Sequence, residues 1–355
     1  MKAGTGMAGN PQQIVIDGAF GEGGGQILRT SLSLSVITRR AFAITNIRAN
    51  REPPGLRPQH LLSVTSAAEI CGARVLGAEI GSREIRFEPH ELRPGTFRFD
   101  VGTAGSTSLV LQTIFFPLAL AGGESNVTIT GGTHVPMTPC YHYLEMEWLP
   151  IVKQIGFGGD MMMRRAGFYP QGGGEVNVII PPHGALRGLR AEARGSLKGL
   201  VGISAIANLP MHIAERQRHR ALVRLREKGL RAEIEIREMA SPGRGTMLLL
   251  LAQFAEVTSC HYSLGAIGKS AEKVADEACK ELFEFLASDA AVEPHLADQL
   301  LVPLALAHEE SFFTTSKITQ HLLTNAAVIE KFVNVTIDVG GEVGQPGKVM
   351  VINER

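Results

Sequence analysis

The sequence predicts an α+β (α/β) protein with a large repeat-containing domain and a smaller inserted α/β domain. Its 355 residues are 44% hydrophobic and 20% charged, which is enough apolar material for a substantial core and enough length for two domains. Three observations support this class. Strand patterns alternate with helical ones, a glycine-rich passage recurs, and the composition of the sequence changes over residues 185–286.

The first glycine-rich passage links a predicted strand to a predicted helix. Residues 14–17 are an apolar strand pattern, residues 21–25 read Gly-Glu-Gly-Gly-Gly, and a helical pattern starts at Gln26. Glycines let the backbone approach a ligand, and the free N–H groups of a helix start favour an anion. The loop matches neither a P-loop nor a dinucleotide loop. A close-packed turn is the better explanation of the glycines alone, but Glu22 among them favours a functional loop.

Two later passages are similar to the first. Residues 99–116 run from a strand through an Asp-Gly turn and a Gly-Ser loop into a helix, and residues 168–180 run from a glycine loop into a strand. The passages are spaced by roughly eighty residues, which indicates an internal repeat. Between them lie a helical pattern and four strand patterns, at residues 60–70, 42–48, 74–80, 84–88 and 96–101.

Residues 185–286 are predicted to form the inserted domain. They begin with short basic segments and a charged helix over residues 215–229. The clearest element is a helix over residues 270–283, with Ser270 as N-cap and charges of alternating sign on its outer face. Two strand patterns lie between these helices, at residues 232–237 and 246–251.

Repeat-like sequence resumes at Leu296. We therefore predict three segments: the first part of the repeat domain at residues 1–184, the inserted α/β domain at residues 185–286, and the closing part of the repeat domain at residues 287–355.

Charge and cysteine content argue against several classes of protein. Acidic and basic residues balance at 35 each, so no net positive field attracts nucleic acid, and any RNA contact needs a local basic patch. The cysteines lack CxxC pairs and histidines at zinc spacing, which argues against a disulfide framework or a structural metal site and favours free thiols in a reducing cytosol. They are Cys71, Cys140, Cys260 and Cys279.

Residues 1–12 are polar and glycine-rich and have no apolar segment of the secretory type, and no later apolar run reaches membrane-spanning length. We therefore expect a cytoplasmic protein with a frayed leader and no membrane association.

Short motifs follow one another in order along nearly the whole chain. They are Asp17-Gly18-Ala19 with Gly21-Glu22-Gly23-Gly24-Gly25-Gln26-Ile27-Leu28-Arg29, Pro54-Gly55-Leu56 with Gln59-His60-Leu61, Gly105-Ser106 with Leu109-Val110-Leu111-Gln112-Thr113, Gly131-Gly132-Thr133, Gly167-Phe168-Tyr169-Pro170 with Gly172-Gly173-Gly174, Leu296-Ala297-Asp298-Gln299, and His321-Leu322-Leu323-Thr324-Asn325. Each is short, but their joint order and spacing is specific. In these motifs the chain resembles the RNA 3′-terminal phosphate cyclases.

The resemblance implies three repeated ββαβαβ-like units in a pseudo-threefold arrangement, akin to enolpyruvyl transferases, with a smaller α/β domain inserted in the third unit. It also implies a reaction in which ATP and an RNA 3′-terminal phosphate give a 2′,3′-cyclic phosphodiester, AMP and pyrophosphate, assisted by Mg²⁺ or Mn²⁺. The expected partner is RNA with a 3′-terminal phosphate, and a homodimer is left open.

The resemblance makes His321 the nucleophile. A neutral imidazole, with a reference pKa of about 6.5, keeps a lone pair at cellular pH and can attack the α-phosphorus of ATP. The RNA 3′-phosphate then takes the adenylate from His321, and the neighbouring 2′-hydroxyl closes the ring while AMP leaves. Because this last step is intramolecular, proximity supplies much of its rate.

The resemblance assigns the other site residues to three groups. A carboxylate at Glu22 suits a divalent cation, and arginines suit phosphate oxygens. His295 stands where bacterial members often carry tyrosine, and an imidazole can also stack on adenine. The adenylate pocket is assigned Gln112, Pro139, His295, Leu296, Ala297, Asp298 and Gln299, the metal Glu22, and the RNA terminal phosphate Arg29, Arg48, Arg51, Gln59 and His60.

Structural roles remain open for most of these residues. Asp298 fits a helix cap and Gln299 a solvated surface amide, because residues 294–298 look like a loop entering a helix. The arginines fit ordinary solvated charges, and Gln59 and His60 fit an outward-facing helix start. The run at residues 161–163 is three methionines, which we expect to be apolar packing or an exposed strand.

Two other functions compete with the cyclase. A non-catalytic member of the same superfamily that acts as a scaffold in ribosome assembly would lack the nucleophile, whereas His321 is present. An enolpyruvyl transferase would share the repeat architecture but needs a longer chain with six repeats and its own basic site.

Overall fold

The computed structural model describes residues 13–354 and shows a mixed α/β fold with four four-stranded sheets. This confirms the predicted fold class. The predicted leader at residues 1–12 lies outside the described residues. Between residues 13 and 354, no helix combines the length and the apolar character needed to cross a membrane.

The first sheet carries two helices and begins the fold. In its first strand, buried Ile14 and Ile16 alternate with exposed Val15 and Asp17, which is the period-two pattern of a strand with one face on a core. The elements are β1 (Ile14–Asp17), α1 (Gly25–Thr38), β2 (Phe42–Thr45), α2 (Pro58–Cys71), β3 (Arg74–Leu76) and β4 (Ile85–Glu88). The strand order is β1-β2-β4-β3, and only β1 and β2 are parallel.

The second sheet repeats this pairing. Its elements are β5 (Thr96–Asp100), α3 (Thr107–Ala119), β6 (Ser125–Gly131), α4 (Tyr141–Tyr143), a π-helical turn (Leu144–Trp148), α5 (Leu149–Ile155), β7 (Asp160–Arg165) and β8 (Gly174–Ile180). The order is β5-β6-β8-β7, and only β5 and β6 are parallel. The methionine run at residues 161–163 lies in the edge strand β7, where Met162 is exposed and Met161 and Met163 pack against the large core. Both expectations, an exposed strand and apolar packing, are therefore met by different residues of the run.

The third sheet in chain order, made of residues 197–264, lies within the predicted insertion. The elements from this point are β9 (Arg190–Ala191), β10 (Leu197–Ala207), α6 (His212–Glu227), β11 (Glu233–Glu238), β12 (Gly245–Phe254), β13 (Thr258–Leu264) and α7 (Ala271–Leu286). Strands β10 to β13 form a sheet in the order β11-β10-β12-β13. Ser270 caps α7 by accepting the N–H of Lys273 at 3.2 Å, as predicted.

This sheet is buried on both faces. Leu248 and Leu250 belong to a core shared with α6 and α7, whereas Met247, Leu249 and Leu251 belong to the large core of the rest of the chain. An unbroken apolar run is expected for a strand covered on both sides.

The closing segment completes a sheet that β9 begins. Its elements are α8 (Pro294–Gln299), α9 (Leu301–Leu306), β14 (Ser311–Thr315), α10 (Gln320–Phe332), β15 (Val335–Gly340) and β16 (Gly347–Asn353). Strand β14 pairs in parallel with β9 and antiparallel with β16, which gives the order β15-β16-β14-β9.

Outside β10 to β13, the three sheets share one pairing pattern. With the elements β10 to α7 left out, each follows the element order βαβαββ, and the repeated ββαβαβ unit stays a prediction. The pseudo-threefold arrangement of these sheets and the domain boundaries at 184/185 and 286/287 stay predictions.

The helices of different sheets pack against one another and position the site. Helix α1 packs against α2, α3 and α10, and α10 also packs against α8. Helix α3 is buried over nearly its whole length, as expected for a helix that is apolar all round. The loop that precedes α1 therefore meets the first turns of α10, although the residues in contact are 302 positions apart. The four cysteines are free and buried.

Candidate active site

His321 lies in the first turn of α10. Thr319 is the N-cap, and its Oγ1 accepts the N–H of Leu322 at 3.1 Å, which satisfies a free N–H at the helix start. The His321 side chain is 46% exposed. Capping by Thr319 places His321 inside the helix.

The glycine loop between β1 and α1 brings Glu22 against His321. Gly21 has a φ of 57°, in the left-handed region that glycine enters without strain. A Cβ on Gly21 would lie 3.2 Å from Cβ of Thr324, so the loop lies directly on α10. The Glu22 carboxylate contacts Nε2 of His321 and the guanidinium of Arg51. The loop is therefore both a close-packed turn and the carrier of a charged group.

Gln26, at the start of α1, joins His321 to Asp298. Its side-chain N–H donates to Oδ2 of Asp298 at 2.7 Å, and its Oε1 contacts Nδ1 of His321. Because an amide oxygen only accepts hydrogen bonds, Nδ1 carries the proton. In the neutral ring Nε2 then keeps the lone pair. Because the Glu22 carboxylate that contacts Nε2 also only accepts hydrogen bonds, this lone pair is free only when Glu22 turns away.

Asp298 is held by α8, which Glu293 caps. The Glu293 carboxylate accepts the backbone N–H of His295 at 2.8 Å and that of Leu296. Asp298 thus lies inside the helix and is not its cap, with a side chain 13% exposed. Its backbone carbonyl accepts from the amide of Asn325 at 2.7 Å, which ties α8 to α10.

Gln112 and Gln299 meet beside α8. The Gln112 amide donates to Oε1 of Gln299 at 2.7 Å, and the Gln299 amide donates to the Tyr143 hydroxyl at 3.4 Å. That hydroxyl donates to the buried Glu293 at 2.7 Å. The structure therefore brings together the two amides assigned to the adenylate pocket, and Gln299 is held by hydrogen bonds to neighbouring side chains.

The other residues assigned to the adenylate pocket differ in exposure. His295 is exposed in the first turn of α8. Leu296 and Ala297 are 1% and 0% exposed, so both are fully buried, and their assignment to the adenylate pocket stays a prediction. Pro139 is half-buried in a separate segment, where the hydroxyl of Tyr262 accepts the next backbone N–H at 3.2 Å.

His60 is buried behind the glycine loop. Its Nδ1 accepts the backbone N–H of Arg57 at 3.3 Å. A Cβ on Gly25 would lie 2.7 Å from Cδ2 of His60 and 3.0 Å from Nη1 of Arg29. Burial and then the neighbouring cations Arg29, Arg48 and Arg57 lower the pKa of His60 to about 3. His60 is therefore a neutral support for the start of α1 and does not face outward.

The remaining residues assigned to the RNA phosphate are partly committed to other contacts. Arg48 donates to two backbone carbonyls at 2.8 and 3.0 Å, and Arg51 contacts Glu22. Gln59 accepts the backbone N–H just before α3 at 3.2 Å. Burial lowers the pKa of Arg29 to about 10, which leaves it charged at neutral pH. Arg29 is thus a half-buried cation beside the start of α1.

Titration of the central groups follows from burial. Burial lowers the pKa of His321 below its ordinary value, Glu22 opposes this shift, and Arg29 adds to it. Burial also raises the pKa of Asp298 to about 7, against opposing effects of His295 and Gln26. A lowered pKa keeps His321 neutral, which is the form that has a lone pair.

The carboxylate of Glu22 is the candidate ligand for a divalent cation. Across residues 13–354, no group of three or more His, Cys, Asp or Glu side chains is arranged to hold a metal ion. A single carboxylate fits Mg²⁺ when the ion keeps several waters and shares the phosphates of a substrate. The donor set therefore fits an ion that enters with a triphosphate.

Two surface cavities are present. One of about 340 Å³ is lined by Glu147, β9, the β12–β13 turn and Leu296 of α8, and one of about 540 Å³ lies along α6. The first cavity therefore reaches the helix that carries Asp298.

Sequence reasoning missed four residues of the site. Gln26 lies within the first motif, and Arg57 directly follows the motif Pro54-Gly55-Leu56. Their proximity to these motifs could have indicated a role in the site. Tyr143 and Glu293 lie outside every motif, and only long-range hydrogen bonds show their role in holding α8.

Comparison with known proteins identifies the family of the chain. A family profile described as RNA 3′-terminal phosphate cyclase matches residues 20–339. Proteins named RNA 3′-terminal phosphate cyclase are 44% identical over 332 residues in Methylococcus capsulatus, covering 91% of this chain and 92% of that protein. In Nostoc punctiforme the identity is 44% over 328 residues, with 90% and 94% covered, and in Salmonella agona it is 42% over 327 residues, with 92% and 94% covered.

Among solved structures, the enolpyruvyl transferase NikO from Streptomyces tendae matches with a TM-score of 0.26 and 15% identity, over 48% of this chain and 33% of that one. A likeness this low supports no argument. The family profile spans most of the chain, and relatives above 40% identity cover it nearly end to end. The chain therefore belongs to the RNA 3′-terminal phosphate cyclase family.

Proposed function

We propose that this chain converts an RNA 3′-terminal phosphate to a 2′,3′-cyclic phosphodiester at the expense of ATP, through a covalent His321–AMP intermediate and an RNA-(3′)pp(5′)A intermediate. The observation that carries the proposal is the chain of contacts from Asp298 through Gln26 to His321, which presents Nε2 as a nucleophile. Family membership supports the reaction class.

In the first step Nε2 of His321 attacks the α-phosphorus of ATP, and pyrophosphate leaves. The Glu22 carboxylate contacts this nitrogen in the free protein, so it has to turn away before the attack. Gln26 keeps its contact with Nδ1 and holds the ring in place. A phosphoramidate between His321 and AMP results.

In the second step an oxygen of the RNA 3′-phosphate attacks the adenylate phosphorus, and His321 leaves as a neutral imidazole. In the third step the 2′-hydroxyl oxygen attacks the RNA 3′-phosphorus, its proton is released, and AMP leaves. The attacking oxygen and the phosphorus belong to one nucleotide, so binding the RNA end in a fixed orientation supplies much of the rate.

Anionic groups would be held at the start of α1. Gly24 is its N-cap and makes no side-chain cap, so the first N–H groups and the helix dipole point to the loop. The half-buried Arg29 and the exposed Arg51 supply positive charge beside it, with His60 as a neutral support. We assign Arg29, Arg48, Arg51 and Gln59 to the RNA terminal phosphate on this basis.

Glu22 would hold Mg²⁺ or Mn²⁺, and when bound such an ion offsets the charge of the triphosphate. Gln112, Asp298, Gln299 and the exposed His295 would line the adenylate pocket, with Pro139 beside the base.

A cytoplasmic location is proposed as well, because ATP and RNA are the substrates and the four buried thiols fit a reducing compartment. A homodimer stays a prediction, and sedimentation of the purified protein would test it.

The test is self-labelling with α-labelled ATP and Mg²⁺, followed by acid and alkali treatment. We expect label that is acid-labile and stable in alkali, as a phosphoramidate is. His321→Ala should abolish it, and His219→Ala, which removes an exposed histidine on α6, should not. Cyclisation of a 3′-phosphorylated RNA oligonucleotide is followed in parallel.

Equal labelling of wild type and His321→Ala would refute the proposal. RNA binding in the absence of any labelling or cyclisation would favour the non-catalytic scaffold in ribosome assembly.

A further inference from the structure

Phe20 presents an aromatic ring to solvent beside the candidate site. It is 51% exposed, and in the part of the chain that the structure describes only Tyr169 among the other aromatic residues is comparably exposed. One exposed apolar residue needs no explanation by itself. An exposed aromatic ring in the loop that also carries Glu22 does call for one.

The turn that carries Phe20 is held on both sides. The Phe20 N–H donates to the carbonyl of Asp17 at 3.1 Å, and the Phe20 carbonyl accepts from Gly23 at 3.0 Å. The amide of Asn50 donates to the carbonyl of Ala19 at 3.3 Å. The ring therefore projects from a fixed backbone, and little conformational freedom is lost when it binds a flat group.

The ring lies two residues before Glu22, whose carboxylate contacts the nucleophilic nitrogen of His321. The side chains grouped around that nitrogen are polar or charged, including Gln26 and Arg51. Phe20 adds an exposed aromatic ring to the loop that carries Glu22. In the proposed reaction the RNA 3′-phosphate lies at His321, and the terminal base is attached to the same ribose. The base therefore lies no farther than the length of one nucleoside from the phosphate, near the loop that carries Phe20.

We propose that Phe20 stacks on the base of the 3′-terminal nucleotide of the RNA and strengthens binding of the RNA end. The proposal rests on the proposed cyclase activity and adds a subsite to it. Unpaired RNA ends expose the faces of their bases, and proteins bind such bases on aromatic rings. Every base has a π-face, so the subsite accepts all four bases and prefers those that stack more strongly.

The experiment compares two RNA oligonucleotides with a 3′-phosphate, one ending in adenosine and one with an abasic terminal ribose. Phe20→Ala should raise KM for the adenosine-ended RNA between about 5- and 140-fold, the range of one base–aromatic stack. For the abasic RNA, KM should be the same in both proteins. Phe20→Trp should keep the wild-type KM, and Phe20→Leu should fall between Trp and Ala.

Two controls separate stacking from damage to the site. Self-labelling of Phe20→Ala with α-labelled ATP should be unchanged, which shows that the loop and His321 are intact. Ile267→Ala removes a fully exposed apolar side chain after β13 and should leave both KM values unchanged.

An unchanged KM for adenosine-ended RNA in Phe20→Ala would overturn the proposal, and so would an equal rise with abasic RNA or a loss confined to ATP labelling. In each of these cases the wild-type protein still cyclises RNA, so the proposed function stands. Failure of wild-type labelling and cyclisation is the separate outcome that removes the proposed function.

Discussion

Asp298→Asn should stabilise the protein, and more at pH 8 than at pH 5. Burial raises the pKa of Asp298 from 3.8 to about 7, and its side chain is only 13% exposed. The folded protein therefore keeps a proton that the unfolded chain releases above pH 3.8. Since the unfolded state binds fewer protons in this window, the free energy of unfolding falls as pH rises from about 4 to about 7.

The magnitude follows from the size of the shift. Three pKa units at 1.36 kcal/mol each give a cost of about 4 kcal/mol above pH 7. At pH 5 the same arithmetic gives about 1.6 kcal/mol, so the advantage of Asp298→Asn should grow by about 2.5 kcal/mol between pH 5 and pH 8. The Asn oxygen can still accept from Gln26, so the hydrogen bond to α1 is kept.

The assay is urea unfolding at four pH values between 5 and 8, followed by the fluorescence of the single tryptophan, Trp148, which is buried. Asp338→Asn is the matched control because Asp338 is exposed on β15, and it should show no growing advantage. The reasoning would be refuted if the difference in free energy of unfolding between Asp298→Asn and the wild type did not change with pH. It would also be refuted if the wild type were more stable than Asp298→Asn at pH 8.

Three further outcomes are expected. In the pH profile of kcat/KM for ATP, the midpoint of the loss of activity on acidification should lie below pH 6.5, because burial lowers the pKa of His321 and the proposed nucleophile must be neutral. Gly25→Ala should reduce labelling at least tenfold, because a Cβ there would lie 2.7 Å from Cδ2 of His60 and clash with its ring. Gly24→Ala should leave labelling nearly unchanged, because its Cβ would have its nearest neighbour at 3.6 Å. Tyr143→Phe should lower the free energy of unfolding by about 1–3 kcal/mol, because a buried carboxylate loses a donor, and raise KM for ATP.

Each has a contradicting result. An activity midpoint above pH 6.5 would mean that burial does not control His321. Equal effects at the two glycines would mean that contact with His60 does not matter. An unchanged KM for ATP in Tyr143→Phe, despite lower stability, would restrict the hydroxyl to a structural role.

Local chemistry made part of the fold predictable. Ser270 caps its helix because a hydroxyl before a helical pattern satisfies free N–H groups whatever lies elsewhere. The glycine loop leads into α1 for a similar reason. Other features depend on distant contacts. Glu293 caps α8 while accepting from Tyr143, and no local pattern distinguishes that glutamate from a solvated one.

The same contrast holds within the candidate site. The resemblance located His321 and Glu22, but not the amide that links the histidine to Asp298. Gln26 takes that role because α1, α8 and α10 converge, which is a property of helix packing. His60 was expected to face outward as the alternative to binding phosphate. It is buried because α2 packs with its first turn against Gly25, and a glycine at that position makes room for the ring.

The sheet of β10 to β13 also limits how the protein can be shortened. Met247, Leu249 and Leu251 of β12 belong to the large core, so excising residues 185–286 would expose apolar residues of the remaining chain to solvent. The truncated protein would aggregate unless those newly exposed residues were replaced by polar ones. The excised segment would need polar replacements on the matching face of β12 for the same reason.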